Sequence, residues 1–598
     1  MNAFGERFST PSPTPAPPID GHEIVTDPAK AAQLLWHDDL IGLDIETTGL
    51  SPWRNQVATI QLYGDRTGTA SFTQCLGGVV PPAIKDVLER PDVVLIAHNG
   101  AAFDFQFLRQ AGVDVFRPSW YDTMIAEIAL TTSGRRNISK SLRATTKRRL
   151  SVTLDKDTAL RVGGWDAEEL TLERVKYAMR DVLHLPALMR AQQGQAEEKG
   201  MAGGLAFEVA ALKATGLMIA NGMPLNDAAL EEYRGTQRAI ADESAAVLGA
   251  ELPSIKNLNS VAQVKQALAD QGIELTFTRA EILEELAQFG GRAGALANNI
   301  LRYRHAVKRY GMYDQEWAAE HVQPDGRVHA RYWQASTETT RYASSDPNLQ
   351  QVPRNMRWCW GWEPDRMVVS GDYSQIEVKG AAFVAEDEKL LALCDAEDVH
   401  VEIACAVFGL AHDQVDTEIR RRAKAIVFTL LFGGGARRLF EYARQKGSSM
   451  TEIEAERYVT TFFSTFPGLA RTRERAHQLC QHRRAVTLVF PSGLKRIVAG
   501  DNLRPTVLLN NTVQALAACG IKRAMVLAVE RGLGSYLAAQ VHDEIVLAGV
   551  PAPDVEDAGV TLTQCMEKGM EEVMPGVPSS VKLEIGPAWG RKETTEGE

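Results

Sequence analysis

The chain has 598 residues, is 45% apolar and 24% charged, and carries a net charge of −11 at neutral pH. That is the balance of an ordinary globular protein of roughly three to five structural units, long enough to build its core without staples. It excludes a protein that holds nucleic acid by bulk positive charge, so any basic surface must be local. The seven cysteines (75, 359, 394, 405, 480, 519 and 565) are odd in number, scattered and free of any C-x-x-C pair. They point to a reducing compartment, the cytoplasm, rather than to a disulfide framework or a zinc site. No uninterrupted apolar run of bilayer-spanning length and no secretory leader is evident, so no membrane partner is expected.

In chain order, the proline-rich stretch PSPTPAPP at 11–18 predicts a disordered or polyproline tail over 1–22. From 23 to about 195, short β-rich runs alternate with helical stretches. LIGLDIETTGL (40–50), VATIQLYG (57–64) and VVLIAHN (93–99) predict strands, and 101–111 and 168–190 predict helices. This is the order of an α/β layer fold. Residues 133–149 hold seven basic and no acidic side chains, a pattern that a solvated loop also shows. From about 200 to 320 the pattern is mostly helical. RVHARYWQ (327–334) predicts a strand, and DRMVVSGDYS (365–374) a strand that runs into a carboxylate. Residues 398–480 are helical again. AVTLVFPSGLKRIV (485–498) predicts a hairpin turning at Pro491–Gly493, 507–531 one long helix, and AAQVHDEIVLAG (538–549) a second hairpin.

Two constellations carry chemistry. In the first, Asp44 and Glu46 alternate on a strand and face the same way. Asp104 follows a strand at a turn or helix start, and Tyr177 and Asp181 share one helix face. Four carboxylates and a tyrosine suit a two-metal phosphodiesterase, because hard divalent cations take oxygen ligands and a tyrosine can orient water. These segments resemble the DEDD proofreading exonucleases with a tyrosine, over about 23–195.

In the second, Asp372 ends an apolar strand and Asp543–Glu544 tip a hairpin. Between them Arg420, Lys424, Phe428 and Phe432 recur every four residues, one slowly winding stripe on a helix. It begins cationic and ends aromatic, as a nucleotide does from phosphate to base. An amphipathic helix with a basic first half gives the same pattern. The glycines at 433–435 stop the helix. DYSQIE, VHDE, R-x-x-x-K, TTRYASSDPNLQQVP (339–353) and DVH (398–400) together resemble the family A DNA polymerases. So do Asn510 and Gln514, NLNS (257–260) and LRYRHAVKRY (301–310), and the resemblance covers about 23–590.

The resemblance implies an α/β, ribonuclease H-like exonuclease domain (23–195) followed by an α+β right-hand polymerase domain (200–598). Its thumb would be about 200–325, its palm 326–397 and 500–598, and its fingers 398–499. Asp372 and Asp543 would hold two Mg²⁺ ions, with Mn²⁺ as a substitute, and Glu544 would support them. In the exonuclease, Asp44, Glu46, Asp104 and Asp181 would hold a second metal pair beside Tyr177. His400, Arg420 and Lys424 would grip a dNTP triphosphate, Phe428 and Phe432 would face its sugar and base, and Glu377 would gate the 2′-hydroxyl. Arg341, Asn348, Gln350, Asn510, Gln514 and His542 would line primer–template DNA.

The implied enzyme is a monomeric DNA polymerase with 3′→5′ proofreading, working in the cytoplasm of a cell or of a phage's bacterial host. Helicase, primase and processivity-factor partners carry no signature in the chain. From the length, no 5′-nuclease domain is expected, as in a phage-type replicase. The basic clusters at 135–149, 302–309, 420–424 and 471–496 are expected to face DNA. Lys379, Thr340, Ala343, Val427, Thr429 and Phe432 depart from the family pattern, away from the metal carboxylates. An exonuclease whose second half only binds DNA, and a single-subunit RNA polymerase, are the alternatives. Intact Asp372, Lys424 and Asp543 oppose the first, and Glu377 with the attached exonuclease opposes the second.

Overall fold

A computed structural model of the chain describes residues 16–19, 21–131, 138–154, 163–445 and 450–591. The chain forms two compact units. The first comprises Met1–Ala220, Tyr332–Thr337 and Ser492–Lys495; the second comprises Asn221–Arg331, Glu338–Pro491 and Arg496–Glu598.

The first unit is built on a seven-stranded sheet. Its strands are β1 (Ala16–Ile19), β2 (His22–Val25), β3 (Leu40–Thr47), β4 (Val57–Gly64), β5 (Ala70–Gln74), β6 (Val94–Ala97) and β7 (Ser119–Asp122). They lie in the order β1-β2-β5-β4-β3-β6-β7. At the centre, β3 runs antiparallel to β4 and parallel to β6. β4 is buried along almost its whole length, as a strand covered on both faces must be. On β3, Leu43 and Ile45 are buried, while Asp44 and Glu46 on the other face are only half-buried. The three expected strands are all present. β5 and β7 escape sequence patterning because ASFTQ and SWYD are short and polar at one end.

The N-terminal stretch differs from expectation in one place, and the first compact unit is longer than the exonuclease-like stretch. Ala16–Ile19, within the stretch expected to be disordered, pairs antiparallel with β2. Residues 1–15 and 20 of that stretch lie outside the described residues. The first unit also runs past 195, through helices Ala202–Ala210 and Leu212–Asn221. Leu212 is buried in the same core as Leu95, Phe105 and Trp120. Gly216 lies so close to the Trp120 ring that a Cβ would come within 2.5 Å of it. Gln106 Nε2 donates to the Gly216 carbonyl at 3.0 Å.

The second unit holds a four-stranded sheet in the order Leu537–Val541, Glu544–Pro551, Arg366–Tyr373, Val581–Gly586. All three neighbour pairs are antiparallel. The long helix Pro505–Glu530 packs against Val555–Glu571. Glycine makes the close approach possible, because a Cβ at Gly569 would meet the Ala524 backbone nitrogen at 2.6 Å. Helices Asp227–Glu251 and Gly291–Met312 pair around a separate core containing Leu248, Leu283 and Ile300. The expected single strand over 327–334 is broken into Arg327–Val328 and Arg331–Trp333.

Among the described residues, two segments are long and apolar enough to cross a membrane, Ala202–Asn221 and Pro505–Glu530. Their apolar stretches are 56% and 72% buried inside the fold, which is how core helices satisfy the same composition. Glu208 and Lys213 interrupt the first and Asn510, Asn511, Gln514, Lys522 and Arg523 the second, so no long apolar run stands out in the sequence. All seven cysteines are free thiols.

The basic segment near 133–149 is not a solvated loop where it is described. Leu142–Leu150 is a helix, and its last turn is tied to Glu127, a fully buried carboxylate on helix Thr123–Thr131. Arg148 Nη1 donates to Glu127 Oε1 at 2.5 Å, and Arg149 Nε donates to Oε2 at 2.8 Å. Arg149 Nη2 adds a bond to Oε1 at 2.9 Å, and Gln192 Nε2 one to Oε2 at 3.4 Å. Removing this carboxylate strands a buried guanidinium without its counter-charge. Glu127→Ala is therefore expected to destabilise the first unit by about 3–5 kcal/mol. Urea unfolding of the full chain should show its transition at lower denaturant, with Glu127→Gln less affected.

Candidate active sites

The exonuclease-like residues of the first unit converge on β3. Asp104 opens helix Asp104–Gln110 and is buried, and its Oδ1 accepts a hydrogen bond from Ile45 N at 3.2 Å. It is thereby pinned to the strand between Asp44 and Glu46. Tyr177 and Asp181 lie one turn apart on helix Leu172–Val182, both buried, and this helix packs on β3 and β4. Burial pushes the Asp104 carboxyl up to about 7, helped by the negative charges of Asp122 and Asp181 and opposed by backbone hydrogen bonds.

The second cluster stands at one end of the four-stranded sheet. Asp372 is the penultimate residue of strand Arg366–Tyr373 and pairs in register with Glu544. Asp543 follows His542 in the two-residue hairpin turn, where His542 takes a left-handed φ of 55°. Tyr373 N donates to the Asp543 carbonyl at 3.2 Å, locking the turn against the strand that carries Asp372. Burial and then Asp543 raise the pKa of Asp372. Burial lifts Asp543 to about 6, with Glu377 adding to the shift and Arg341 opposing it.

Glu544 is held from behind. Its Oε1 accepts from Trp589 Nε1 at 2.7 Å and its Oε2 from Arg357 Nη1 at 2.9 Å. The Arg357 guanidinium in turn lies 4.1 Å from the centre of the Trp589 ring. Neither partner is legible in the sequence, since Trp589 lies 45 residues and Arg357 187 residues from Glu544. Glu377 accepts from Arg341 Nη2 at 3.2 Å, and the same nitrogen stands 4.0 Å from Asp543.

The predicted stripe lies on helix Thr417–Leu431, with Phe432 just past its end. Lys424 Nζ stands 5.8 Å from the centre of the Phe428 ring, and Phe428 stands 6.5 Å from Phe432. Gly433 follows with φ 78°, as a helix-stopping glycine should. His400, buried in the first turn of helix Val399–Phe408, lies 6.0 Å from Phe428, ring to ring. Its Nδ1 is buried without a hydrogen bond. Burial, with Lys424 and Arg420 and against the pull of Asp398, lowers its pKa to about 4, so the ring is neutral at pH 7.

Arg341, Tyr342, Gln350, Gln540 and His542 line one small cleft. Gln540, which has no sequence signature, links it: Gln350 Nε2 donates to Gln540 Oε1 at 3.0 Å, and Gln540 Nε2 to the His542 carbonyl at 2.5 Å. Asn348 folds back on its own turn, accepting from Gln350 N at 3.0 Å. Asn510 and Gln514 are one turn apart on helix Pro505–Glu530, both half-buried.

Several arginines of the basic clusters are paired with acids. Besides Arg148 and Arg149, Arg302 pairs with Glu243, Arg420 with Asp398, Arg421 and Arg422 with Glu418, and Arg496 with Glu338. Arg135 and Arg136 lie outside the described residues.

Among the described residues, no three or more His, Cys, Asp or Glu side chains form a group that could hold an ion unaided. The donors do fit a hard divalent cation. Magnesium keeps several waters and is bound by one or two carboxylates plus substrate phosphates. Asp372 with Asp543 supplies such a pair of oxygen donors, both raised in pKa chiefly by burial.

Comparison with known proteins identifies the class. The family model of DNA polymerase family A matches residues 227–591, and a 3′-5′ exonuclease model matches residues 23–191. The chain belongs to DNA polymerase family A, with an exonuclease-family domain ahead of the polymerase domain. Proteins of these families generally use divalent metals.

Among individual relatives, it is 29% identical to a DNA polymerase I of Chloroflexus aurantiacus, over 98% of this chain and 65% of that protein. It is 30% identical to a DNA polymerase I of Geobacillus stearothermophilus, over 56% of this chain and 40% of that protein. The chain thus spans less than two thirds of these relatives' length. In fold it is similar to the POL domain of Pol1 from M. smegmatis, solved with DNA primer-template and dNTP. The TM-score is 0.78 at 20% identity, covering 95% of this chain and 99% of that one.

Of the departures, Lys379 is buried and donates to Ser580 Oγ at 3.2 Å, and burial lowers its pKa. Nothing in the structure explains Val427 or Thr429. Thr340 replaces a family glycine while keeping a glycine-like backbone: its φ is 58°, it is fully buried, and its hydroxyl has no hydrogen bond. A β-branched residue pays about 1–2 kcal/mol in that region, and glycine recovers it less the entropy of a freer unfolded chain. Thr340→Gly is expected to stabilise the second unit by about 1 kcal/mol, read as a higher melting temperature.

The raised carboxyls predict a pH dependence in chelator. A carboxyl with a folded pKa above its unfolded value takes up a proton on folding, so stability falls as pH rises between the two values. For Asp104 that window runs from about 4 to about 7. Melting temperature in EDTA should fall across it, and Asp104→Asn should flatten the slope.

Proposed function

We propose that the chain is a template-directed DNA polymerase that adds dNTPs to a primer 3′ end and trims that end with a 3′→5′ exonuclease. The observation that carries this is the meeting of Asp372 and Asp543 at one sheet end, in the unit that also presents His400, Arg420 and Lys424. Asp372 and Asp543 would hold two Mg²⁺ ions, with Mn²⁺ as a substitute. When bound, such ions stabilise the attacking and departing oxygens of phosphoryl transfer.

The chain's own residues do the rest. Arg357 and Trp589 fix Glu544 behind the pair, so it supports the sheet end. Arg420 and Lys424 neutralise the triphosphate, and neutral His400 offers it a hydrogen bond without further charge. Phe428 and Phe432 present rings to the sugar and base. Glu377, braced by Arg341, stands as the gate against a 2′-hydroxyl. Arg341, Asn348, Gln350, Asn510, Gln514 and His542 line the duplex. In the first unit Asp44, Glu46, Asp104 and Asp181 would hold the exonuclease metals, with Tyr177 placed to orient a water.

The assignment makes residues of about 200–325 the thumb, 326–397 and 500–598 the palm, and 398–499 the fingers, acting in the cytoplasm. The ligands named for the M. smegmatis structure, DNA primer-template and dNTP, are those it requires.

A primed template with Mg²⁺ and either dNTPs or NTPs tests it. Extension is expected with dNTPs only. Asp372→Ala should abolish extension and leave primer degradation, and the double change Asp44→Ala, Glu46→Ala should do the reverse. Extension by Asp372→Ala at a rate comparable to wild type would remove the assignment.

A further inference from the structure

Asp398 precedes helix Val399–Phe408 and caps it, and one of its oxygens does only that. Oδ1 accepts from His400 N at 2.9 Å and from Val401 N at 3.3 Å. The other oxygen reaches another helix: Oδ2 accepts from Arg420 Nε at 2.6 Å. Arg420 lies in the first turn of helix Thr417–Leu431, 22 residues further on, and the two helices pack together. One carboxylate therefore joins the start of the helix that carries His400 to the start of the helix that carries Arg420 and Lys424.

Capping needs a single acceptor, and serine or asparagine supplies it as well as aspartate. A second, charge-assisted bond to a guanidinium exceeds that need. The bond is made through Nε, which leaves the Nη nitrogens outside the pair. His400 is only 5% exposed and its Nδ1 has no hydrogen bond, so that nitrogen does not anchor the ring to the protein. The backbone that Asp398 grips sets where the imidazole stands.

We propose that Asp398 is a positioning residue for nucleotide binding, which fixes the Arg420 guanidinium and the His400 imidazole relative to one another before a triphosphate arrives. This rests on the polymerase assignment above. Prior fixing lowers the ordering cost of binding, so its loss should appear in affinity rather than in turnover.

The test uses the full chain, a primed template, Mg²⁺ and a single dNTP. Asp398→Asn and Asp398→Ser both keep a capping side chain while removing the negative partner of Arg420. Each should raise the KM for dNTP about tenfold and leave kcat within about twofold. Primer degradation without dNTP should be unchanged in both, which reports an intact fold. Combining Asp398→Asn with Arg420→Ala should raise KM no further than Arg420→Ala alone, because residues acting as a unit are not additive. A wild-type KM in both single variants would overturn the inference. So would independent, multiplying effects in the double variant, or a loss confined to kcat. Failure of the wild-type chain to extend any primer would instead overturn the polymerase assignment, and this inference with it.

Discussion

Negative charges are gathered where burial and mutual repulsion both oppose their ionisation, and the rest of the structure is arranged to hold them there. Asp372 and Asp543 come from segments 171 residues apart. They are kept side by side by an antiparallel ladder and by the bond from Tyr373 N to the Asp543 carbonyl. Asp104 is kept against β3 by Ile45 N. In each unit main-chain donors on or beside a strand fix a buried acid: Ile45 N binds the Asp104 carboxylate, and Tyr373 N binds the Asp543 carbonyl. Such a frame tolerates raised pKa values that a flexible loop would relieve by moving apart, and it leaves the acids as natural ligands for hard cations.

The positive charges are placed individually, which reconciles a net charge of −11 with the nucleic-acid substrate proposed above. Arginines of the basic clusters are braced by acids: Arg148 and Arg149 by Glu127, Arg302 by Glu243, Arg420 by Asp398, Arg496 by Glu338. Each pairing adds a negative charge to the total while holding a guanidinium in a definite place. Net charge then says little about the field at a site, because fixed cations act over a distance comparable to the Debye length of about 8 Å. Specific placement substitutes for bulk attraction.

How much of this the sequence discloses depends on the range of the interaction. Period-two alternation on β3 marks Asp44 and Glu46, and four-residue spacing marks Arg420, Lys424 and Phe428. These local patterns survive folding unchanged. Contacts closed by tertiary structure leave no such trace: the bonds of Trp589 and Arg357 to Glu544, the link of Gln540 between Gln350 and His542, and the second oxygen of Asp398. The extent of the first compact unit is hidden for the same reason. Leu212 and Gly216 belong to a helical stretch whose periodicity fits either neighbour, and only packing against Trp120 assigns them to the first unit. Short edge strands such as β1 need a partner before they are strands at all.

Arg341 shows how tightly these elements are coupled. Its Nη2 donates to Glu377 and stands within 4.0 Å of Asp543, so one guanidinium offsets both the proposed sugar gate and one member of the acid pair. The opposing effects on Asp543, lowered by Arg341 and raised by Glu377, follow directly from that arrangement. Immediately before it, Thr340 occupies a backbone region that its branched side chain disfavours. The surrounding structure therefore spends stability to set the direction in which the chain enters Arg341, as is common beside functional groups. On the proposed assignment, discrimination at Glu377 and electrostatics at the acid pair are therefore coupled through Arg341. Any change that shifts Arg341 must alter the two together.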